Sequence, residues 1–138
     1  MNADVFLIGS GQTPFGEHWG KSLRDLLEEA ISAAIESSPC TALDIDTVVV
    51  SNMFGECTST QAHLGALASS FLPHRPPALR VEAACASGSI AIHTACALLE
   101  SGRAETVLVA GVEKMTDVSI DSIQEALMGA GDSERDLA

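Results

Sequence analysis

Four cysteines and four histidines carry most of the potential for nucleophilic or metal chemistry in this 138-residue chain. Cys85 stands out for its setting in "VEAACASGS", where a short strand-like run gives way to a long, nearly uncharged helix-like run. A thiol at a helix N-terminus lies near unsatisfied backbone N–H groups and the positive end of the helix dipole, both of which favour its nucleophilic form. Ala86, Ser87, Gly88 and Ser89 are small, so a ligand could approach this helix start. On local features alone a buried structural cysteine is an equal reading.

A cysteine nucleophile needs a base to take its proton. His93 follows eight residues later, roughly 12 Å along a helix axis, which is too far for a direct hydrogen bond. Local spacing cannot place His18, His63 or His74. His93 and Cys96 are three apart on one helix, but two ligands without a partner motif point to packing rather than metal, and no metal is expected. Cys57, in "FGECTST" after a strand end, is a secondary candidate, and Cys40 beside Pro39 has no local base. The run Gly9-Ser10-Gly11-Gln12-Thr13-Pro14 places proline where a dinucleotide fingerprint needs its third glycine, and reads as an ordinary strand-to-loop turn.

The elements that must hold these residues alternate. "DVFLIGSG" is apolar with a glycine exit and predicts a strand covered on both faces. Ser22 predicts an N-cap for "LRDLLEEAISAAIESS", whose Leu23, Leu26, Leu27, Ala30, Ile31, Ala34 and Ile35 recur at helical spacing, with Pro39 closing the helix. "DTVVVSN" predicts a strand and "STQAHLGALASSFL" a second amphipathic helix, ending before "PHRPP". "ALRVEAA" predicts a third strand; Gly102 stops the helix beginning near Cys85, and "ETVLVAGVEKM" is a fourth strand. This β-α-β-α-β-α-β order predicts an α/β layered fold, a mostly parallel sheet with helices on both faces. Residues 1–117 form the expected domain. Residues 118–138, acidic and glycine-bearing, read as the opening of something further or a loosely held end.

Composition narrows the partners. Nineteen acidic against seven basic residues give a formal net charge of −12, which disfavours nucleic acid or an anionic membrane surface. The uncharged run from Ala83 to Leu99 is too short and too polar for a membrane span and reads as a buried helix. "MNADVFLIGS" lacks the basic start and long apolar core of a signal peptide, and the cysteines show no disulfide or metal-finger spacing. A cytoplasmic protein is expected.

"QTPFG" after the first strand, "VEAACASGS" at the strand-to-helix junction and "LVAGVEKMTD" after the last strand, in this order, resemble the N-terminal part of a thiolase. The resemblance covers Val5 to about Asp117. Its "CASG" and "EKMTD" forms are similar to the sterol-carrier-type and archaeal acetyl-CoA acetyltransferase branch, whereas C-G-S-G is the usual form in the commonest thiolases. It implies that Cys85 is acylated by an acyl-CoA, that its own N–H helps hold the thioester oxyanion, and that coenzyme A thioesters are substrates, with no bound cofactor. It also implies a two-fold dimer interface at the strand before Cys85, in agreement with a helix apolar on all sides.

The family's catalytic histidine, second cysteine and oxyanion glycine lie in a later half, and none of those motifs follows "EKMTD". The expectation is therefore an N-terminal thiolase portion, inactive alone, working as a homodimer or with a complementary C-terminal half. The alternatives are a fragment of a ketoacyl or hydroxymethylglutaryl synthase-like condensing enzyme, and a non-catalytic interaction module.

Overall fold

The computed structural model describes residues 4–132, 134 and 135. Helix α1 spans Leu23–Glu36 and begins as its sequence dictates: Ser22 Oγ accepts the Asp25 N–H at 3.2 Å, and the Asp25 carboxylate accepts the Ser22 N–H at 2.7 Å. This reciprocal cap satisfies two otherwise orphaned donors. It also holds the Asp25 carboxyl below its ordinary pKa, chiefly through the Ser22 backbone bond. The helix buries Leu23, Leu26, Leu27 and Ile31.

Strand β1 (Thr47–Ser51) is the centre of a three-stranded sheet, with β2 (Ala78–Val81) on one side and β3 (Val107–Gly111) on the other, both parallel to it. Val48, Val49 and Val50 are fully buried, as expected of a parallel strand covered on both faces. Val48, Val50, Leu108 and Ala110 point to one face, where α1 and α3 (Leu64–Ser69) supply Leu27, Ile31, Leu64 and Ala68. Val49 alternates to the other face, where α4 (Ser87–Glu100) packs across β1 and β3. Helices therefore cover both faces of a parallel sheet.

Helix α4 ends in a left-handed glycine. Gly102 has φ +69°, its N–H donates to Leu99 O, and the Arg103 N–H reaches back to Leu98 O. This 6→1 and 5→2 pair is the Schellman arrangement that glycine favours. A short α2 (Gly55–Thr58) follows β1, and α5 (Ile120–Met128) lies beyond β3, touching α2 and burying none of its own residues.

Three expectations are corrected. The segment "DVFLIGSG" forms no strand: residues 4–13 make no sheet pairing, and Phe6 and Leu7 are 75% and 90% exposed. The Ser10 N–H and C=O, which a ladder would use, are both bonded to the Ser37 hydroxyl at 2.8 Å. Gly9 lets this backbone lie against α1 so closely that a Cβ there would stand 2.7 Å from Ala34 O. A slot of about 330 Å³ separates the segment from β3, whose outer edge has no strand partner among the described residues.

The second predicted helix is shorter than its pattern. Thr60 adopts φ +56° and the Gln61 N–H donates to Gly55 O, so residues 59–63 form a turn and the helix starts at Leu64. Finally, the uncharged helix is not covered on all sides within this chain. Only Ser87, Ala91 and Ala95 of α4 are buried, a single stripe facing the sheet, while Ile90 and Ile92 are open to solvent.

Candidate functional site

The connections out of β1 and β2 part company. From β1 the chain passes through α2 and α3 on the face shared with α1; from β2 it passes into α4 on the opposite face. In a parallel sheet, loops that diverge to opposite faces leave a crevice at the carboxyl ends of the strands, where ligands of α/β proteins bind. Ser51 pairs with Val81 and with Gly111, so the three strands end level and their following loops rim that crevice.

Cys85 lies on the rim, four residues beyond β2, in a single 3₁₀ turn (Ala84–Ala86) that leads directly into α4. It is solvent-exposed. Ala84, just before it, holds φ +49°, a left-handed conformation that costs a residue with a Cβ free energy and re-aims the next residue. The Ala83 N–H donates to Ser87 Oγ at 2.9 Å, the Ala84 N–H to the Glu82 carboxylate, and the Ala86 N–H to Ala83 O at 2.9 Å. Among the described residues, the Cys85 N–H alone of these four consecutive donors has no acceptor.

The opposite rim, after β1, is held by buried polar groups. Asn52, 1% exposed, donates from Nδ2 to Val112 O and accepts the Gly55 N–H at Oδ1, each at 2.7 Å. The Glu113 carboxylate accepts the Met53 and Phe54 N–H groups, tying the loop after β3 to the loop after β1. Removal of this carboxyl from water raises its pKa, opposed by those two N–H bonds. Arg80 donates to Asn52 O at 3.3 Å, to Met53 O at 3.2 Å and to Glu56 Oε1 at 2.9 Å, joining β2 to the same loop. Lys114 is buried and paired with Asp117.

The other sequence candidates disperse. His74 bonds Ile45 O at 2.8 Å, just ahead of β1 and so at the amino end of the sheet, and His18 bonds Pro14 O at 2.7 Å. His63 stands at the N-cap position of α3 without a side-chain capping bond, and His93 is exposed on α4 with Cys96 half-buried beside it. None of the four histidines bonds the Cys85 thiol among the described residues, and no group of three His, Cys, Asp or Glu side chains there could hold a metal ion. Cys57 is exposed in α2, and Cys40 lines the slot beside β3. Sequence reasoning missed Asn52, Arg80, Glu113 and Ser87. Only the position of Asn52 directly after β1 and of Glu113 two residues beyond β3 hinted at them.

The family model of the thiolase N-terminal domain matches residues 5–135. The chain belongs to the thiolase family. An acetyl-CoA acetyltransferase of Methanocaldococcus jannaschii is 45% identical over 132 residues, covering 95% of this chain and 33% of that protein. Human sterol carrier protein 2 is 34% identical over 84% of this chain and 21% of its own length. The solved acetyl-CoA acetyltransferase of Syntrophomonas wolfei superposes with a TM-score of 0.62 at 27% identity, covering 75% of this chain and 27% of that one. This thiolase chain thus spans about a third of the length of the first curated relatives it matches. No helix among its described residues is long and apolar enough to cross a membrane.

Proposed function

We propose that this chain carries the acyl-accepting cysteine of a thiolase-type acyltransferase, either an acetyl-CoA C-acetyltransferase or a 3-oxoacyl-CoA thiolase, and that Cys85 is that residue. The observation that supports it best is the exposed thiol on the rim of the sheet's crevice, with its own N–H open to a ligand oxygen. The acyl-CoA names of the relatives point to the substrate class.

In the first half-reaction the Cys85 sulfur, having given up its proton, adds to the thioester carbonyl carbon. The carbonyl electron pair moves onto oxygen, where the Cys85 N–H donates to it. Collapse re-forms the C=O bond and breaks the bond to the coenzyme sulfur, which leaves as a thiolate and is protonated. In the second half-reaction the acyl group passes to a coenzyme thiol or to a carbanion formed from acetyl-CoA.

The base that serves these steps comes from a complementary half or a second copy, since no histidine here bonds the thiol. The uncovered side of α4, with Ile90 and Ile92, suits such a packing partner. Four free cysteines suit a reducing cytoplasmic setting. Incubation with acetyl-CoA followed by peptide mass analysis tests the assignment: one acetyl group on Cys85, absent in Cys85→Ser and retained in Cys57→Ser. Acetylation confined to another cysteine refutes it, and steady thiolysis by the pure chain as a monomer refutes the external base.

A further inference from the structure

Ser87 is the first residue of α4, yet its side chain does not serve the helix. A capping hydroxyl accepts N–H groups further along; the Ser87 Oγ instead turns back, accepting the Ala83 N–H at 2.9 Å and donating to Ala84 O at 2.7 Å. It is 6% exposed, and those two bonds use its donor and one acceptor site inside the protein. Together they bracket the one residue of the turn in a left-handed conformation, Ala84 at φ +49°.

That conformation needs support. A residue with a Cβ in the left-handed region returns to a commoner one unless its surroundings hold it there. Around Ala84 the surroundings are the Ser87 strap and the Glu82 carboxylate on the Ala84 N–H. If Ala84 relaxes, the peptide joining it to Cys85 rotates, and the Cys85 N–H turns with that peptide. The strap also leaves that N–H as the single unsatisfied donor of the turn.

We infer that Ser87 is a positioning residue for acyl transfer: by bracketing Ala84 it aims the Cys85 N–H at the oxygen of the thioester that Cys85 attacks. This rests on the assignment of Cys85 as the acyl acceptor, and deepens it by naming what sets the geometry of the oxyanion donor.

The distinguishing measurement compares two reactions at one sulfur. Attack on a thioester builds negative charge on a carbonyl oxygen and needs the aimed N–H; alkylation by iodoacetamide displaces iodide and needs only a reachable thiol. Phenyl thioacetate is the thioester probe, because it requires no coenzyme site. Cys85 adds to its carbonyl carbon, expels thiophenolate, and passes its own proton to solvent. The readout is the ratio of acetylation to alkylation rates at Cys85, with Cys57 in the same chain as control.

Ser87→Ala should lower that ratio roughly tenfold to a hundredfold, the range that loss of alignment costs. Ser87→Thr, which keeps the hydroxyl, should restore most of it. Ala84→Val, whose branched side chain resists the left-handed region, should lower the ratio while leaving Ser87 in place, and tests the turn if Ser87→Ala fails to fold. A role confined to stability would move both reactions at Cys85 together and leave the ratio unchanged. An unchanged ratio in the folded variant, or no recovery with threonine, overturns the inference. No acetylation of Cys85 in the unaltered chain overturns the acyl-acceptor assignment and this inference with it, whereas acetylation unaffected by the variants overturns this inference alone.

Discussion

Asn52→Ala tests whether buried amide bonds hold the crevice rim. Its Nδ2 bond to Val112 O joins the segments that leave β1 and β3, and its Oδ1 bond to the Gly55 N–H starts α2. Truncation removes both and strands a carbonyl and an N–H where Asn52 is 1% exposed. An unpaired buried group costs about 1–3 kcal/mol, so the pair together, allowing water into the vacated space, costs roughly 2–4 kcal/mol. A domain has only about 5–15 kcal/mol of net stability, so the loss is a large fraction of it. With a urea slope of about 2 kcal/mol per molar, the midpoint should fall by roughly 1–2 M at unchanged slope.

Circular dichroism across a urea series reads this directly. Asn52→Asp sharpens the result: it keeps the acceptor for Gly55 but replaces the Nδ2 donor with an oxygen facing Val112 O, so it should be no milder than alanine. Leu43→Ala, at a residue 66% exposed, should leave the midpoint within error. A midpoint shift below about 0.3 M for Asn52→Ala would show that the two bonds contribute little net stability and refute this account of the rim.

Two carboxylates give pH predictions of opposite sign. Asp46 accepts the Thr106 and Glu105 N–H groups, which hold its pKa below the ordinary 3.8. Its stabilisation is present above that ordinary value and lost as pH falls through the lower folded value. Asp46→Asn should therefore be less stable than the parent at neutral pH, by under about 1 kcal/mol for so exposed a group, with the gap closing in acid; a gap that widens in acid contradicts this. Burial raises the Glu113 pKa above 4.5, so its contribution is present below that value and declines as pH rises through the folded value. Glu113→Gln, which keeps an acceptor for the Met53 N–H, should gain relative to the parent between acid and neutral pH, measured as urea midpoints. An advantage largest in acid would refute it.

The central strand and its neighbours were legible because "DTVVV", "ALRV" and "ETVLV" are apolar runs bounded by turn residues, and the Ser22 cap because its partner Asp25 is local. The first apolar run, "DVFLIGSG", carries the same signal, but its outcome depends on Ser37, 27 residues from Ser10, which takes the backbone bonds of Ser10. The late start of the second helix turned on one residue, Thr60, in a conformation no periodicity encodes. Cys85 was visible from its junction and flanking motifs. Asn52, Arg80 and Glu113 were not, because their partners lie on strands joined only by the fold, and Ser87 was hidden because a serine near a helix start ordinarily reads as a cap.

The position of β1 between two parallel neighbours has a kinetic consequence. Val48 pairs with Ala78, thirty residues away, and with Leu108, sixty residues away, so neither ladder closes from local contacts. Two long loops must shut before the sheet exists, and topologies of this kind fold slowly for their size. The crevice cannot exist before both ladders close. Until β2 docks on β1 and α4 crosses to the far face, Cys85 is one of four equivalent thiols on a flexible chain, and the folding rate sets how long that interval lasts.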